Sequence, residues 1–226
     1  MFGFLERLLA GFYMAFKQPL ESFIWLETAD DEHTLASNDG SLISFVRIDG
    51  ARQIIGDAEY HRIIDQATIK LGSRFDRLGH TMQVFFMRNP DRAQPELSAL
   101  VRPSQNAAQG IGLEMQDLFE ERIRHLAKYL AWEDIYFVLW TRPIALTKSD
   151  MERAFKDRQN RKWVAARDAQ NPFAALPMLR NRHKSYVASV ISSMDEIGIQ
   201  ARLVEVHDAL SAVRASLYPN RAHQKW

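Results

Sequence analysis

The side chains that most often perform catalysis or bind metals do not occur here at the spacings such chemistry needs. The seven histidines include no pair at metal-ligand spacing, and cysteine is absent, so no zinc site is predicted. Each histidine is interpreted as a lone surface or capping residue. The acidic runs at residues 30–32 and 120–121 consist of consecutive carboxylates, whose side chains diverge, so they do not predict a general acid and base. We expect no catalytic residue, no metal and no cofactor in this chain.

Phosphate-binding loops are also missing from the sequence. The pattern of two glycines separated by four residues and followed by Lys and Ser or Thr does not occur. Gly110 and Gly112 form a close pair, but a third glycine and a preceding strand are lacking. The sequence therefore favours a binding or assembly role over an enzyme.

The charges are balanced in total but separated along the chain. The 226 residues are 46% hydrophobic and 25% charged, with a net charge of +1, which is typical of a globular protein and argues against a basic footprint over the whole surface. Residues 21–39 carry a net charge of −6, whereas residues 148–184 carry +6. The basic segment predicts either a surface for nucleic acid, anionic lipid or an acidic protein, or a solvated hairpin whose charges pair locally. The residues chosen for the contact surface are Arg158, Arg161, Lys162 and Arg167.

The first 28 residues are predicted to form an amphipathic helical segment. Its apolar positions recur at steps of three and four, and they are the predicted docking residues: Phe4, Leu5, Leu8, Leu9, Phe12 and Phe16. We refer to these six residues as the N-terminal stripe. A helix on a membrane surface normally has a basic polar face, and this segment offers only Arg7 and Lys17. Docking to a protein is therefore favoured over docking to lipid.

Residues 29–218 are predicted to form one α+β domain. Strands separated by helices, after an opening hairpin turned at Asp39-Gly40, indicate a mixed and largely antiparallel sheet covered by helices. A continuous apolar run at 135–140 predicts a strand buried on both faces, and residues 102–112 are interpreted as loop-like. Ser149 and Glu152 fit a capping box that would begin a projecting basic helical hairpin over 148–197.

A helix beginning at Asp57 is predicted after the hairpin. Its apolar residues fall on one side at helical spacing. They are Tyr60, Ile64, Ala67, Leu71, Phe75 and Leu78.

The hairpin region resembles a known family. Residues 30–44, DDEHTLASNDGSLIS, and the sequence Ile48-Asp49-Gly50 resemble the amino-terminal domain of VirB-type ATPases of type IV secretion and conjugation machines. In that family a strand, a DGS turn followed by apolar residues, and a second strand ending in DG open the domain. The residues in these stretches are most similar to those of the Dot/Icm (type IVB) branch of the family and its conjugative-plasmid relatives. Residues 213–226 resemble the linker that leads toward the ATPase module.

The resemblance implies a non-catalytic docking and assembly domain. Such a domain anchors the ATPase at the cytoplasmic side of the bacterial inner-membrane complex, contacts inner-membrane or coupling proteins, and supports oligomerisation. The nucleotide-binding loop and the acidic metal-holding motif of the family have no counterpart here, so ATP and Mg²⁺ are implied only for a module after residues 219–226. The alternative is a nucleic-acid-binding module that uses the basic segment 148–184.

Overall fold

The chain folds as an antiparallel sheet with helices on both faces. The computed structural model describes residues 25–75, 78–160 and 177–218. The strands are β1 (Leu26–Asp31), β2 (Thr34–Ser37), β3 (Leu42–Ala51), β4 (His80–Asn89), β5 (Trp132–Thr141) and β6 (Ile199–Leu203). The helices are α1 (Asp57–Phe75), α2 (Ala93–Gly110), α3 (Gln116–Leu126), α4 (Lys148–Asn160), α5 (Pro177–Glu196) and α6 (Val206–Leu217). The predicted α+β class is confirmed.

Strand β3 is the centre of the sheet. The strand order is β1-β2-β3-β5-β4, and β6 also pairs with β3. β5 lies along residues 42–48 of β3, while β2 pairs with its first two residues and β6 with residues 46–51. Since β5 and β6 both pair with residues 46–48, they lie on opposite edges of β3. Every pairing is antiparallel among the described residues.

The two faces of the sheet are covered by different helices. Residues two apart in a strand share a face, so Phe45 of β3 and Val138 of β5 pack under α6, together with Ala209. Val46 and Leu139 turn to the opposite face, where Val190 of α5 packs against them. α1 also lies on this second face and contributes Leu71. The alternation in β3 and β5 therefore builds a hydrophobic layer on each side of one sheet.

The second helix of the predicted basic hairpin packs on the sheet. α5 buries Leu179, His183, Tyr186, Val187, Val190, Ser193 and Met194. α4 touches the domain through Met151, which packs beside Leu42, Leu146 and Leu179. Residues 161–176, which would join α4 to α5, lie outside the described residues.

The opening hairpin forms as the sequence predicts. Gly40 has a φ of 80°, and its N–H donates to the carbonyl oxygen of Ser37 at 2.9 Å. The side chain of Asp39 also stabilises the turn, because its Oδ1 accepts from the backbone N–H of Ser41 at 2.9 Å. The Asp-Gly pair thus closes the turn between β2 and β3 in the way that a positive φ at glycine allows.

Strand β1 is not predicted by the sequence. It begins at Leu26, so residues 26–28 belong to the sheet and not to the predicted helical segment 1–28. Glu27, Asp30 and Asp31 make this strand acidic, and acidic residues are depleted in strands. Its stability comes from pairing with β2 and from tertiary contacts of its carboxylates, which are described below.

Two local expectations about helices are wrong. Pro103 lies inside α2, where a loop was expected. The Ala99 carbonyl that loses its helical partner is on the exposed side, where water can bind it. The cap of α4 is formed two residues earlier than predicted: Thr147 Oγ1 accepts from the N–H of Asp150 at 3.2 Å, and Asp150 Oδ2 accepts from the N–H of Thr147 at 3.3 Å. Thr147 and Asp150, and not Ser149 and Glu152, are the reciprocal capping pair.

Gly79 lies where α1 is connected to β4. Its φ is 90°, and a Cβ built on it would lie 2.6 Å from the backbone nitrogen of Ala145. Its carbonyl oxygen accepts from the N–H of Arg142 at 2.8 Å. The position therefore requires glycine both for the backbone angle and for the close approach of the segment after β5.

We expect Gly79→Ala to lower the free energy of unfolding by about 3 kcal/mol, because strain and steric overlap add. Gly198→Ala is the matched control, since Gly198 has a φ of 81° but open space around its Cβ position. The control should lose only about 1 kcal/mol, the cost of the left-handed backbone. Urea unfolding of both variants measures the difference, and equal losses would show that the contact with Ala145 is unimportant.

Candidate docking surface

Strand β4 exposes apolar side chains at the edge of the sheet. It pairs with β5 over its full length, and no strand in the described part of the chain pairs with its other edge. Val84 and Phe86 are 58% and 55% exposed and point to the same face, opposite Phe137 and Ile135 of β5. Long edge strands with exposed apolar side chains promote association with other chains. This edge is therefore a candidate docking surface.

Helix α1 exposes apolar side chains on the same face of the sheet. Of its predicted apolar side, only Ala67 and Leu71 are partly buried, and Leu71 reaches the core. Tyr60 and Ile64 are about half exposed, and no residue of α1 is fully buried. We refer to Tyr60, Ile64, Val84 and Phe86 as the β4–α1 surface. Sequence periodicity finds the helix and its apolar side but cannot show that this side is left partly uncovered.

A buried histidine links α5 to the centre of the sheet. His183 is 1% exposed, so its interpretation as a surface or capping residue is wrong. Its Nε2 lies 2.9 Å from Ser44 Oγ, and its Nδ1 lies 2.9 Å from Thr141 Oγ1. A serine hydrogen-bonded to a histidine also occurs in hydrolase triads, so the direction of the hydrogen bonds has to distinguish the two cases. The sequence separates them by 139 positions and offers no signal that they meet.

The hydrogen-bond directions assign this group a structural role. Ser44 Oγ donates to the carbonyl oxygen of His33 at 2.8 Å, so it accepts from Nε2–H of His183. Nδ1 then carries no proton and accepts from the hydroxyl of Thr141. A catalytic base would instead take the proton of the serine through an unprotonated Nε2. Burial lowers the pKa of His183 to about 4, which keeps the ring neutral and this arrangement of protons in place.

The acidic segment and the basic segment meet at α5. Asp30 of β1 accepts two hydrogen bonds from Arg180, with Nε to Oδ2 at 2.7 Å and Nη2 to Oδ1 at 2.5 Å. Lys184 Nζ lies 3.0 Å from Asp31 Oδ2, and Arg182 donates to the carbonyl oxygen of Ala145. The three basic residues of this segment that lie on α5 thus contact β1 and the segment after β5, both of which lie outside the predicted hairpin.

A polar cavity of about 460 Å³ opens between α6 and the sheet. Three arginines line it, and each is paired with carboxylates. Arg47 and Arg92 both bind Asp134, which is buried, and Arg202 Nε lies 3.0 Å from Asp49 Oδ2. The charges of this cavity are thus largely compensated by one another, and they join β3, β5, β6 and the start of α2.

The predicted site residues fall mostly outside the described part of the chain. This applies to the whole N-terminal stripe, to residues 219–226, and to Arg161, Lys162 and Arg167. Arg158 lies on α4, but its side chain is also outside the description. Their docking and contact roles remain predictions.

The described part of the chain shows neither a cluster of metal ligands nor a helix that could span a membrane. Within residues 25–75, 78–160 and 177–218, no three His, Asp or Glu side chains are grouped so that they could hold a metal ion. None of the helices in these ranges has the length and apolar character needed to cross a bilayer.

Comparison with known families finds no family model that matches the chain, and comparison with curated proteins finds no match. The sheet, its buried polar groups and the β4–α1 surface therefore provide the structural basis for a functional proposal.

Proposed function

We propose that this chain is a docking and assembly domain that binds another protein through the β4–α1 surface. The observation that supports the proposal is the position of Val84 and Phe86, more than half exposed on a strand whose outer edge has no partner strand among the described residues. Apolar side chains grouped on a surface are commonly covered by a partner. A strand added to β4 would satisfy its backbone groups, and its own apolar side chains would cover Val84 and Phe86.

The setting that we propose is a type IV secretion or conjugation ATPase of the Dot/Icm type. The support is the resemblance of residues 30–50, in which the Asp39-Gly40 pair closes the turn between β2 and β3. In this setting the domain holds the ATPase at the cytoplasmic side of the inner-membrane complex and supports its oligomerisation. In this setting ATP and Mg²⁺ would be bound by the ATPase module of the family, whose nucleotide-binding loop has no counterpart in residues 1–226.

The proposal predicts that one charged side chain introduced on the exposed apolar face of β4 weakens docking strongly. We expect the tagged chain to be retained by inner-membrane vesicles from cells that contain a type IVB secretion machine, and not by vesicles from cells that lack it. Phe86→Asp should reduce this retention at least tenfold, because burying an unpaired carboxylate in an apolar interface is costly. Thr81→Asp is the matched control, since Thr81 is exposed on the same strand but points to the opposite face.

Equal retention by both kinds of vesicle would contradict the secretion setting. Unchanged retention of Phe86→Asp would contradict the role of the β4–α1 surface. Circular dichroism of both variants verifies that the fold is kept, so that loss of retention reports docking.

The alternative, nucleic-acid binding, depends on the basic segment 148–184. Arg180, Arg182 and Lys184 already contact groups of the chain itself, so this function would depend on the remaining basic residues, including Arg158, Arg161, Lys162 and Arg167. Titration with single- and double-stranded DNA at two salt concentrations tests it, because phosphate contacts weaken steeply with salt. Absence of binding at low salt would eliminate it.

A further inference from the structure

An apolar groove lies on the sheet face that α6 covers. It has a volume of about 350 Å³, and its lining includes Trp25, Leu26, Phe45, Phe85, Trp140 and Val213. None of the ten described residues that line it carries a charge. The groove therefore suits an apolar ligand or an apolar protein segment, and it lies on the opposite face from Val84 and Phe86.

One wall of the groove is where the described chain begins. Trp25 is 54% exposed, and its carbonyl oxygen accepts from the N–H of Asn38 at 2.9 Å. This bond holds the backbone of Trp25 at the end of the β1–β2 pair. The residue before it, Ile24, is the last of the segment that contains the N-terminal stripe. That segment is therefore tethered directly at the groove.

The connection is long enough for the segment to fold back. Residues 17–24 follow the stripe and span at most about 29 Å when fully extended. Pro19 lies within this connection and disfavours a continuous helix through Gln18, so a change of direction is expected there. The stripe can thus return over the groove from its point of attachment.

We propose that the N-terminal stripe packs into this groove of its own chain. The groove is uncharged and apolar, and the stripe belongs to an amphipathic segment that is attached at its wall. The cavity accommodates side chains rather than a whole helix, so the segment lies across the opening and inserts its leucine and phenylalanine side chains. The stripe is then part of the domain's own core, and docking to a partner is left to the β4–α1 surface.

The absence of cysteine allows a direct test by cross-linking. A chain with Leu9→Cys and Ser216→Cys carries one thiol on the stripe and one at the groove. A short bismaleimide should join them within one chain. The control combines Leu9→Cys with Ser192→Cys, since Ser192 is exposed on α5 at the other face of the sheet. Mass spectrometry of the products distinguishes links within a chain from links between chains.

A high yield within one chain for Ser216 and a low yield for Ser192 supports the proposal. Equal yields overturn it, and so does a product formed mainly between two chains, which would assign the groove to a second copy.

Variants of the stripe provide a second test. Adding Leu5→Asp and Phe12→Asp to the chain with Leu9→Cys and Ser216→Cys should remove most of the cross-link within the chain. It should also lower the Tm by about 5 °C, because apolar burial is lost. Adding Ala10→Asp, on the polar side of the segment, should leave both unchanged. A stripe variant that keeps the link and the Tm also overturns the proposal. Retention on membranes tests the β4–α1 surface in a separate experiment. A negative cross-linking result therefore contradicts only the packing of the stripe in the groove, and not docking through that surface.

Discussion

Replacing Arg180 with methionine is expected to lower the free energy of unfolding by about 3 kcal/mol. The side chain of Asp30 is 2% exposed and accepts two hydrogen bonds from the Arg180 guanidinium. Removing the arginine leaves a buried carboxylate without this compensation, and breaking such a pair costs about 3–5 kcal/mol. The lower end applies because the Arg180 side chain is 27% exposed. Urea unfolding at neutral pH measures the loss.

Lys184→Met is the matched control for this prediction. It removes one positive charge from the same helix, but Lys184 is 62% exposed and its ion pair with Asp31 is near the surface. Exposed pairs contribute at most about 1 kcal/mol. A double variant, Asp30→Asn with Arg180→Met, should recover part of the stability because no charge is then left buried. If Arg180→Met and Lys184→Met cost the same, the buried pair is not a main support of β1.

Acidification is expected to destabilise the domain through His183. The unfolded chain binds a proton on this ring near pH 6.5, whereas the folded chain does so only near pH 4, mainly because of burial. Between these values the unfolded state binds more protons, so the free energy of unfolding falls as the pH is lowered. The separation of the two pKa values corresponds to a loss of about 3 kcal/mol in the free energy of unfolding; this loss is complete below pH 4 and absent above pH 6.5.

His183→Gln separates this contribution from other titrations. A glutamine amide can accept from Thr141 and donate to Ser44, as the neutral ring does, but it does not titrate. The variant should therefore show a smaller decrease in stability between pH 6.5 and 5 than the parent chain. NMR titration of the ring should show His183 still neutral at pH 5. A ring that protonates near pH 6.5 in the folded chain would refute the prediction.

Local patterns in the sequence predict the elements whose stability is local. The Asp39-Gly40 turn, the amphipathic α1 and the apolar run in β5 are each specified by neighbouring residues, and all three form. The α+β class follows from their order. These elements could be predicted because turn chemistry and hydrophobic periodicity act within a few residues.

The elements that the sequence does not predict depend on distant partners. β1 is acidic, and its Asp30 accepts hydrogen bonds from Arg180, which lies 150 positions later in the sequence. The burial of His183 could not be predicted, because its two hydroxyl partners lie far away in the sequence, on β3 and β5. The same limit applies to the candidate surface, since exposure of Tyr60 and Ile64 is decided by which helices cover the sheet. Periodicity shows which side of a helix is apolar, but not whether another element covers it.

The position of β6 beside β3 has a consequence for synthesis on the ribosome. β3 pairs with a strand that ends at Leu203, about 150 residues later, and α6 then closes one face. Contacts across such long separations form slowly, and the apolar surfaces that they bury stay exposed until the last segment is available. A nascent chain that has reached only α5 therefore has β3 with part of one edge unpaired and one sheet face open. The chain through α6 must therefore leave the exit tunnel before the sheet is complete and both of its faces are covered.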